Sequence, residues 1–451
     1  MLYLNYHKFK KMYLFFKNNL TKTNFFNLLL ALMPFAFIAG NMIINIITIL
    51  IIFFTIILFG KNLFKIKYQL LDKIIFLFFS FIIFTALIND IFYLNKLSWG
   101  TPFATTLKSI LFLKYLLLFI VLKFLVEKNI INFKIFFLSC SFAALFVCFD
   151  IFYQYIFGKD IFGYEMKEGF RKLSGPFGDE LIAGGYIQRF SIFPLFTIPL
   201  FYENVSSKIL KFLIPLLLII VFLALILSGN RMSFILFIFL ITLVVFFHGQ
   251  TRKYFLPFIL SFSLIFLLIF NFNQKVKSNF GNFYGQVSTI TKTLLNQEID
   301  KEKKSTYLKD FATFYDTWLM NKYIGGGIKS FRYYCHVRPS IDKNLKVGCN
   351  MHPHNYYFEL LTETGLIGFI LAITIFGMTL YRTFYKKYFV NSSFFVNNKI
   401  IIPFIFLFIA EIFPIKSTGS FFTTGNATYI FLIMAILVGL ASKEKIIENK
   451  F

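Results

Sequence analysis

Two histidines stand on either side of one proline in the run Cys349-Asn350-Met351-His352-Pro353-His354-Asn355-Tyr356-Tyr357-Phe358-Glu359. Imidazoles so placed can hold a transition metal or move a proton. A metal needs further ligands at set spacing, and none follows here. The run is not the His-Glu-x-x-His of zinc proteases either, so no metal is expected. Proton transfer is the better reading. Pro353 favours a helix start, where its missing N–H loses nothing. The helix dipole disfavours imidazolium at that end, and neutral imidazole is the form a general base needs. Asn355, Glu359 and then Glu363 follow on the same expected helix.

Cations recur in three other segments. Arg231 is the charge in the turn Leu227-Ser228-Gly229-Asn230-Arg231-Met232-Ser233, between two long apolar runs. A guanidinium fork suits a diphosphate, to which it gives several charge-assisted hydrogen bonds in a fixed geometry. The plainer alternative is a headgroup anchor. Arg189 follows Phe170-Arg171-Lys172-Leu173-Ser174-Gly175-Pro176-Phe177-Gly178-Asp179-Glu180 and Ala183-Gly184-Gly185-Tyr186-Ile187-Gln188. It falls about 12 Å into an apolar run at 1.5 Å per residue. A cation at such depth costs several kcal/mol unless it lines a polar cavity. Tyr323-Ile324-Gly325-Gly326-Gly327-Ile328-Lys329-Ser330-Phe331-Arg332 is either a phosphate-cradling turn or a plain flexible one. Cys335 and Cys349 share one loop in a compartment expected to be oxidising. A bridge there would be worth roughly 3 kcal/mol and would pin the segment leading to His354. Cys140 and Cys148 read as buried free thiols.

The elements that carry these residues are membrane helices. The 451 residues are 58% hydrophobic and 15% charged, with 69 Phe. Apolar runs of about 18–20 residues recur, long enough to cross about 30 Å of hydrocarbon. In lipid the backbone must satisfy its own hydrogen bonds, so such runs are helices. The reading is an all-α polytopic bundle of about twelve spans, near 25–40, 42–59, 72–88, 109–126, 135–156, 181–202, 209–228, 232–248, 254–272, 365–381, 399–415 and 427–441. Lys and Arg cluster in alternate loops: Lys61, Lys65, Lys67 and Lys73; Lys128 and Lys134; Lys208 and Lys211; Arg252 and Lys253; Arg382, Lys386, Lys387 and Lys399. By the positive-inside rule these loops and both termini are cytoplasmic. The first apolar run, after Lys8, Lys10, Lys11, Lys17 and Lys22, reads as an uncleaved span.

Three regions follow: a nine-span part over 1–272 with a short outer loop at 158–180, a large periplasmic loop at 273–355, and a three-span part at 356–451. The large loop holds 13 Lys/Arg against 6 Asp/Glu. In it Tyr307, Phe311, Phe314 and Trp318 share one helix face, which either packs on the bundle or lies in the membrane interface. The net charge of +25 is the charge of topology signals and contacts to anionic lipid, so membrane lipid is a partner and nucleic acid is not.

Four of these pieces together resemble the O-antigen ligase family, which includes O-antigen polymerases and related oligosaccharyltransferases. They are Arg171 to Gly185, Ser228-Gly229-Asn230-Arg231, Gly325 to Arg332, and His354-Asn355 through Glu363-Thr364-Gly365-Leu366-Ile367-Gly368. The resemblance implies a GT-C-type helical bundle in the bacterial inner membrane, with its active site facing the periplasm. It implies transfer of a glycan from undecaprenyl diphosphate to lipid A–core, to another carrier-linked glycan or to a protein, with no cofactor. His354 takes the place of the family's catalytic histidine, and Arg231 and Arg189 that of its diphosphate-binding arginines. Arg171, Lys114, Arg332, Asn355, Glu359 and His352 are supporting positions. A flippase for lipid-linked sugar is the alternative from another class, but it would not need a histidine beside a large bridged loop.

Overall fold

The computed structural model describes residues 22–63, 65, 68–92, 102–166, 172–202, 205–247, 252–295, 306–338, 349–386, 388, 399–417 and 419–448. Helices α1 (Lys22–Ala39), α2 (Asn41–Leu63), α3 (Leu70–Phe92), α4 (Ala104–Glu127) and α5 (Phe133–Phe157) open the chain. A pair of short helices follows, α6 (Ala183–Phe190) and α7 (Ile192–Phe201), then α8 (Ser207–Leu227), α9 (Arg231–Phe247) and α10 (Phe255–Phe272). Among its described residues the segment expected to be a large loop holds three helices: α11 (Gln274–Leu294), α12 (Thr306–Leu319) and α13 (Phe331–Val337). The chain ends in α14 (Tyr356–Leu380), α15 (Ile401–Glu411) and α16 (Thr424–Glu448). No strand occurs among the described residues; Lys159 and Glu165 form one isolated bridge.

Eight of the helices are long and apolar enough to cross a membrane; the apolar parts of α1, α9 and α15 are shorter. The expected twelve full-length spans therefore meet three differences. The sixth is split at Ser191 into α6 and α7. The tenth begins at Tyr356 rather than at 365, so the Glu363-Thr364-Gly365 run lies inside the helix. The eleventh stops at Glu411. Eleven helical residues reach only about 16 Å, and the chain continues as non-helical backbone packed in protein, where Ser420 and Phe421 are buried. Irregular backbone at such depth is tolerated only inside protein or along a cavity. Hydropathy registers the composition of 399–415 but not the end of its helix.

Helix α16 is the most enclosed of the candidate spans and α10 the most exposed. The core is aromatic: Phe79, Phe112, Tyr115, Phe421, Phe422 and Phe431 meet where α3, α4 and α16 pack together. Large apolar side chains such as Phe53, Phe142, Phe149, Leu260 and Leu264 face outward, as they must if hydrocarbon is the solvent. Helix α10 passes almost unbroken into α11, since Asn273 accepts from Lys277 and donates to Ile269. Of the aromatic face expected at 307–318, Phe314 stacks on Phe358 of α14 at 4.3 Å between centroids, and Phe311 lies 5.4 Å from the same ring.

Candidate functional site

The candidate residues sit where the broken and short helices end. Helix α14 starts at Tyr356 because Asn355 caps it: its Oδ1 accepts from the Tyr357 and Phe358 N–H groups at 2.9 and 3.2 Å. An N-cap asparagine satisfies donors that a helix start otherwise leaves open. Its Nδ2 donates to the Pro414 and Lys416 carbonyls at 2.8 and 3.2 Å, tying this helix start to the loop after α15. The cap thus stands at Asn355, and Pro353 lies two residues ahead of it rather than in the first turn.

His354, just before the cap, has φ +56° and is exposed. Its ring lies 4.4 Å from that of half-buried His352, edge to face. Burial, the neighbouring His354, and Lys329 and Arg332 together push the His352 imidazole down to about 4, so it is neutral at ordinary pH. The two rings are not equivalent: one is shielded and held neutral, the other faces outward. Cys335 and Cys349 are bridged, with Cα atoms 5.8 Å apart. The bridge fastens α13 to the segment that carries both histidines.

The Gly325-Gly326-Gly327 turn does not cradle phosphate with its own N–H groups. Gly326 and Gly327 donate to the Thr362 and Glu363 carbonyls at 3.0 and 2.8 Å, while Leu366 and Ile367 donate to the Lys322 and Tyr323 carbonyls at 2.9 and 3.1 Å. Helix α14 is interrupted at Gly365, which has φ +64° and ψ −172°. The turn is spliced into the break and supplies the partners that the helix gives up there. A β-carbon on Gly365 would overlap the Tyr323 carbonyl, and one on Gly325 the Gly365 nitrogen. The splice sets Lys329 beside Glu359, with Nζ–Oε1 3.2 Å. Glu359 also accepts from Ser420 Oγ and the Phe421 N–H, both at 2.5 Å.

Arg189 meets an acid, Glu411, at the far end of a distant apolar run. Its Nη2 lies 2.6 Å from Glu411 Oε1 and 2.6 Å from Asn426 Oδ1, and its Nε donates to Glu411 Oε2 at 3.1 Å. Glu411 also accepts from Tyr356 OH and pairs with Lys416, each at 2.7 Å. The Arg189 guanidinium faces the Tyr429 ring at 4.8 Å. Asn426 in turn donates to the Ser420 carbonyl at 2.8 Å. A continuous polar network therefore runs from α6 through the α15–α16 loop to Glu359 and Lys329. An acid ending an apolar run was the available signal, since intramembrane carboxylates are as costly as cations.

Arg231 occupies the first position of α9 and is buried, its guanidinium 5.7 Å from the Phe283 ring of α11. A cation at a helix N-terminus opposes the dipole, so helix stability does not account for it. The Ser228–Asn230 turn ahead of it presses on Gly184 of α6, where a β-carbon would lie 2.5 Å from that of Asn230. Leu173 donates to the Ser228 carbonyl at 3.2 Å and Asn279 to that of Gly229 at 3.1 Å. The fold thus joins the Ser174–Gly185 segment to the Arg231 turn, and the glycine turn to the helix of His354.

Arg332 is half-buried and, with Lys329, acts electrostatically on both His352 and Lys108. Lys108 was not singled out in the sequence; it lies 5.9 Å from the Tyr333 ring of α13. Lys114 donates instead to Asn45 Oδ1 of α2 at 2.7 Å. Arg171 lies outside the described residues.

Residues 216–373 match the family model described as O-antigen ligase. The matched stretch begins within α8, takes in Arg231, the Gly325 turn, His352 and His354, and ends in α14. Three of the four pieces that carry the resemblance fall inside this stretch, and Arg171 to Gly185 lies ahead of it. No curated protein matches the chain.

Proposed function

We propose that this chain, with its O-antigen ligase segment at residues 216–373, is an inverting glycosyltransferase of the bacterial inner membrane. It takes a glycan from undecaprenyl diphosphate on the periplasmic face and passes it to lipid A–core. Diphosphate is a good leaving group, so the protein has mainly to neutralise its charge and to place the acceptor. Arg231 meets the diphosphate with its fork. Arg189, held by Glu411, shapes the floor of the same region, and Arg332 and Lys329 add positive charge beside the histidines. His354 takes the proton of the acceptor hydroxyl as its oxygen attacks the anomeric carbon from the face opposite the diphosphate.

The observation that carries this reading is the presentation of His354. It is exposed beside a shielded neutral imidazole, on a helix start fixed by Asn355, within the family-matched stretch. Removing a general base costs on the order of 10²–10⁴ in rate. His354→Ala is therefore expected to abolish transfer in cells at normal protein level, and His352→Ala to cost less. The measurement is the O-chain ladder on lipopolysaccharide, and near-normal ladders with His354→Ala would remove the proposed base. A deletion strain identifies the acceptor: bare core means lipid A–core ligation, core with a single repeat unit means polymerisation, and intact lipopolysaccharide with altered glycoprotein means transfer to protein.

A further inference from the structure

A glycan whose diphosphate lies at Arg231 needs a surface to rest on, and one cleft in the outer loops takes no part in the site of Arg231 and His354. It lies between residues 158–166 and 172–181, and its walls include Tyr164, Glu165, Lys172, Ser174 and Asp179. Counting its open mouth it holds about 390 Å³, within the range of about 300–1,000 Å³ typical of small-molecule sites. It stands ahead of residues 216–373, so the family match does not assign it.

Both walls are fixed by their own hydrogen bonds. The first is a loop folded back over the end of α5. There Met166 donates to the Gly158 carbonyl at 2.8 Å, Asp160 to that of Tyr164 at 3.0 Å, and the Tyr164 N–H to Asp160 Oδ1 at 2.7 Å. Buried Asp150 of α5 accepts from the Ile161 N–H at 2.8 Å and fastens the loop to the helix. The backbone of Tyr164 is thus held while its side chain stays 54% exposed. Buried Gln154 holds the second wall: its Oε1 accepts from the Gly175 N–H at 2.9 Å and its Nε2 donates to Ser174 Oγ at 3.2 Å. The two walls meet at Gly178, where a β-carbon would lie 3.4 Å from the Tyr164 ring. A surface so preorganised loses little freedom on binding.

The lining narrows the choice of ligand. An anion would meet Glu165 and Asp179, a cation would meet Lys172, and a hydrocarbon chain would leave all three charges without water. A neutral sugar suits them together. Carboxylates accept from its hydroxyls, the ammonium donates to its oxygens, and its positively polarised C–H groups lie on the negative face of an aromatic ring. Position agrees with chemistry. Leu173, beside Ser174 of the cleft, donates to the Ser228 carbonyl at 3.2 Å, in the turn that leads into Arg231. A second cleft, bordered by Leu173, Gly229 and Asn279, shares Met166 with the first and reaches the same turn.

On the reading of the chain as a glycan transferase, we propose that the cleft is a sugar subsite for the glycan of the donor. Tyr164 is its stacking platform, and Glu165 and Asp179 accept from the sugar hydroxyls. No bond forms or breaks there. The cleft holds the glycan in place while its diphosphate lies at Arg231.

The test uses full-length protein in nanodiscs and the glycan of the producing strain, released from its carrier lipid by mild acid. Binding of the released glycan is followed by saturation-transfer NMR, and transfer by KM and kcat for the intact donor. Tyr164→Ala is expected to weaken glycan binding about tenfold and to raise the donor KM by a similar factor, with kcat reduced far less, as loss of one stacked ring. Tyr164→Phe keeps the ring and should bind nearly as well as the native protein. Glu165→Gln together with Asp179→Asn should also weaken binding. Glycan binding unchanged by Tyr164→Ala overturns the subsite. So does an equal loss with Tyr164→Phe, the mark of a disturbed loop rather than of a lost platform. Native protein that transfers the glycan but does not bind it once released overturns the subsite alone. Native protein that neither binds nor transfers it overturns the glycosyltransferase reading, and the subsite with it.

Discussion

Glu411 is the residue on which two buried cations depend. Arg189 and Lys416 both lie within 2.7 Å of its Oε1, and all three side chains are largely shielded. Breaking a buried pair by removing one partner costs roughly 3–5 kcal/mol, because the other charge stays buried and uncompensated. The two partners are not symmetric. Arg189→Gln leaves Glu411 paired with Lys416, whereas Glu411→Gln leaves two cations facing each other. Glu411→Gln is therefore expected to lower the thermal unfolding midpoint in detergent more than Arg189→Gln does; equal losses would deny the acid its central role. His352 yields a prediction in pH. Its imidazole sits at about 4 against an ordinary value of 6.5, so between those values the unfolded chain binds a proton that the folded one does not. The stability this group contributes is full above about 6.5 and is lost as pH falls to about 4. His352→Asn should flatten the fall in unfolding temperature across that window, and an unflattened profile would show that the ring is not held neutral. Arg231 was legible from the sequence because it is a charge between two long apolar runs, and the histidines because two of the chain's five stand on either side of one proline. Glu411 and Lys108 were not, because their importance comes from partners distant in the chain.

The splice at Gly365 ties the large loop to the bundle. Four backbone hydrogen bonds cross it, between residues 322–327 and 362–367, and they set Lys329 beside Glu359. Any side chain at Gly365 meets the Tyr323 carbonyl and must adopt a positive φ. Strain of that kind costs on the order of 1–3 kcal/mol before the steric clash is added. Gly365→Ala is thus expected to destabilise the protein by about 3 kcal/mol or more. Faster proteolysis within 320–331 than at the ends of α16 should accompany it. Normal stability would mean that the turn merely rests on the helix. Membrane helices announce themselves through apolar length, so those were readable almost throughout; α11 and α13 are not apolar runs and were read as loop. A helix break does not: helix-forming residues stand on both sides of Gly365, and the partners that make the break tolerable come from some forty residues earlier. The glycine run was visible, but its task depends on the carbonyls it meets, which the sequence does not reveal.

For the whole molecule the question is which end faces out. The bundle gathers its polar network at one end, where α6, α9, α14 and the α15–α16 loop meet, and that end carries α11, α12 and α13. The other end carries the lysine-rich short loops, including exposed Lys61 at the close of α2. Charge in short loops governs orientation, while long segments cross largely regardless of it. The basic segment 273–355 therefore does not contradict an outward placement, and the lysines of the short loops argue for it. The shortness of α15 does not upset the alternation, since its chain returns through protein to begin α16 at the same end as Asn355 and Lys416. A single cysteine replacing Tyr284, which is 75% exposed on α11, should react with a membrane-impermeant maleimide in cells whose outer membrane has been permeabilised. One replacing Lys61 should react only after the inner membrane is opened. The native free thiols, Cys140 and Cys148, are buried and give a low background. Labelling in the reverse order would place the histidine pair in the cytoplasm, away from a periplasmic acceptor, and would favour a reaction on the opposite face of the membrane.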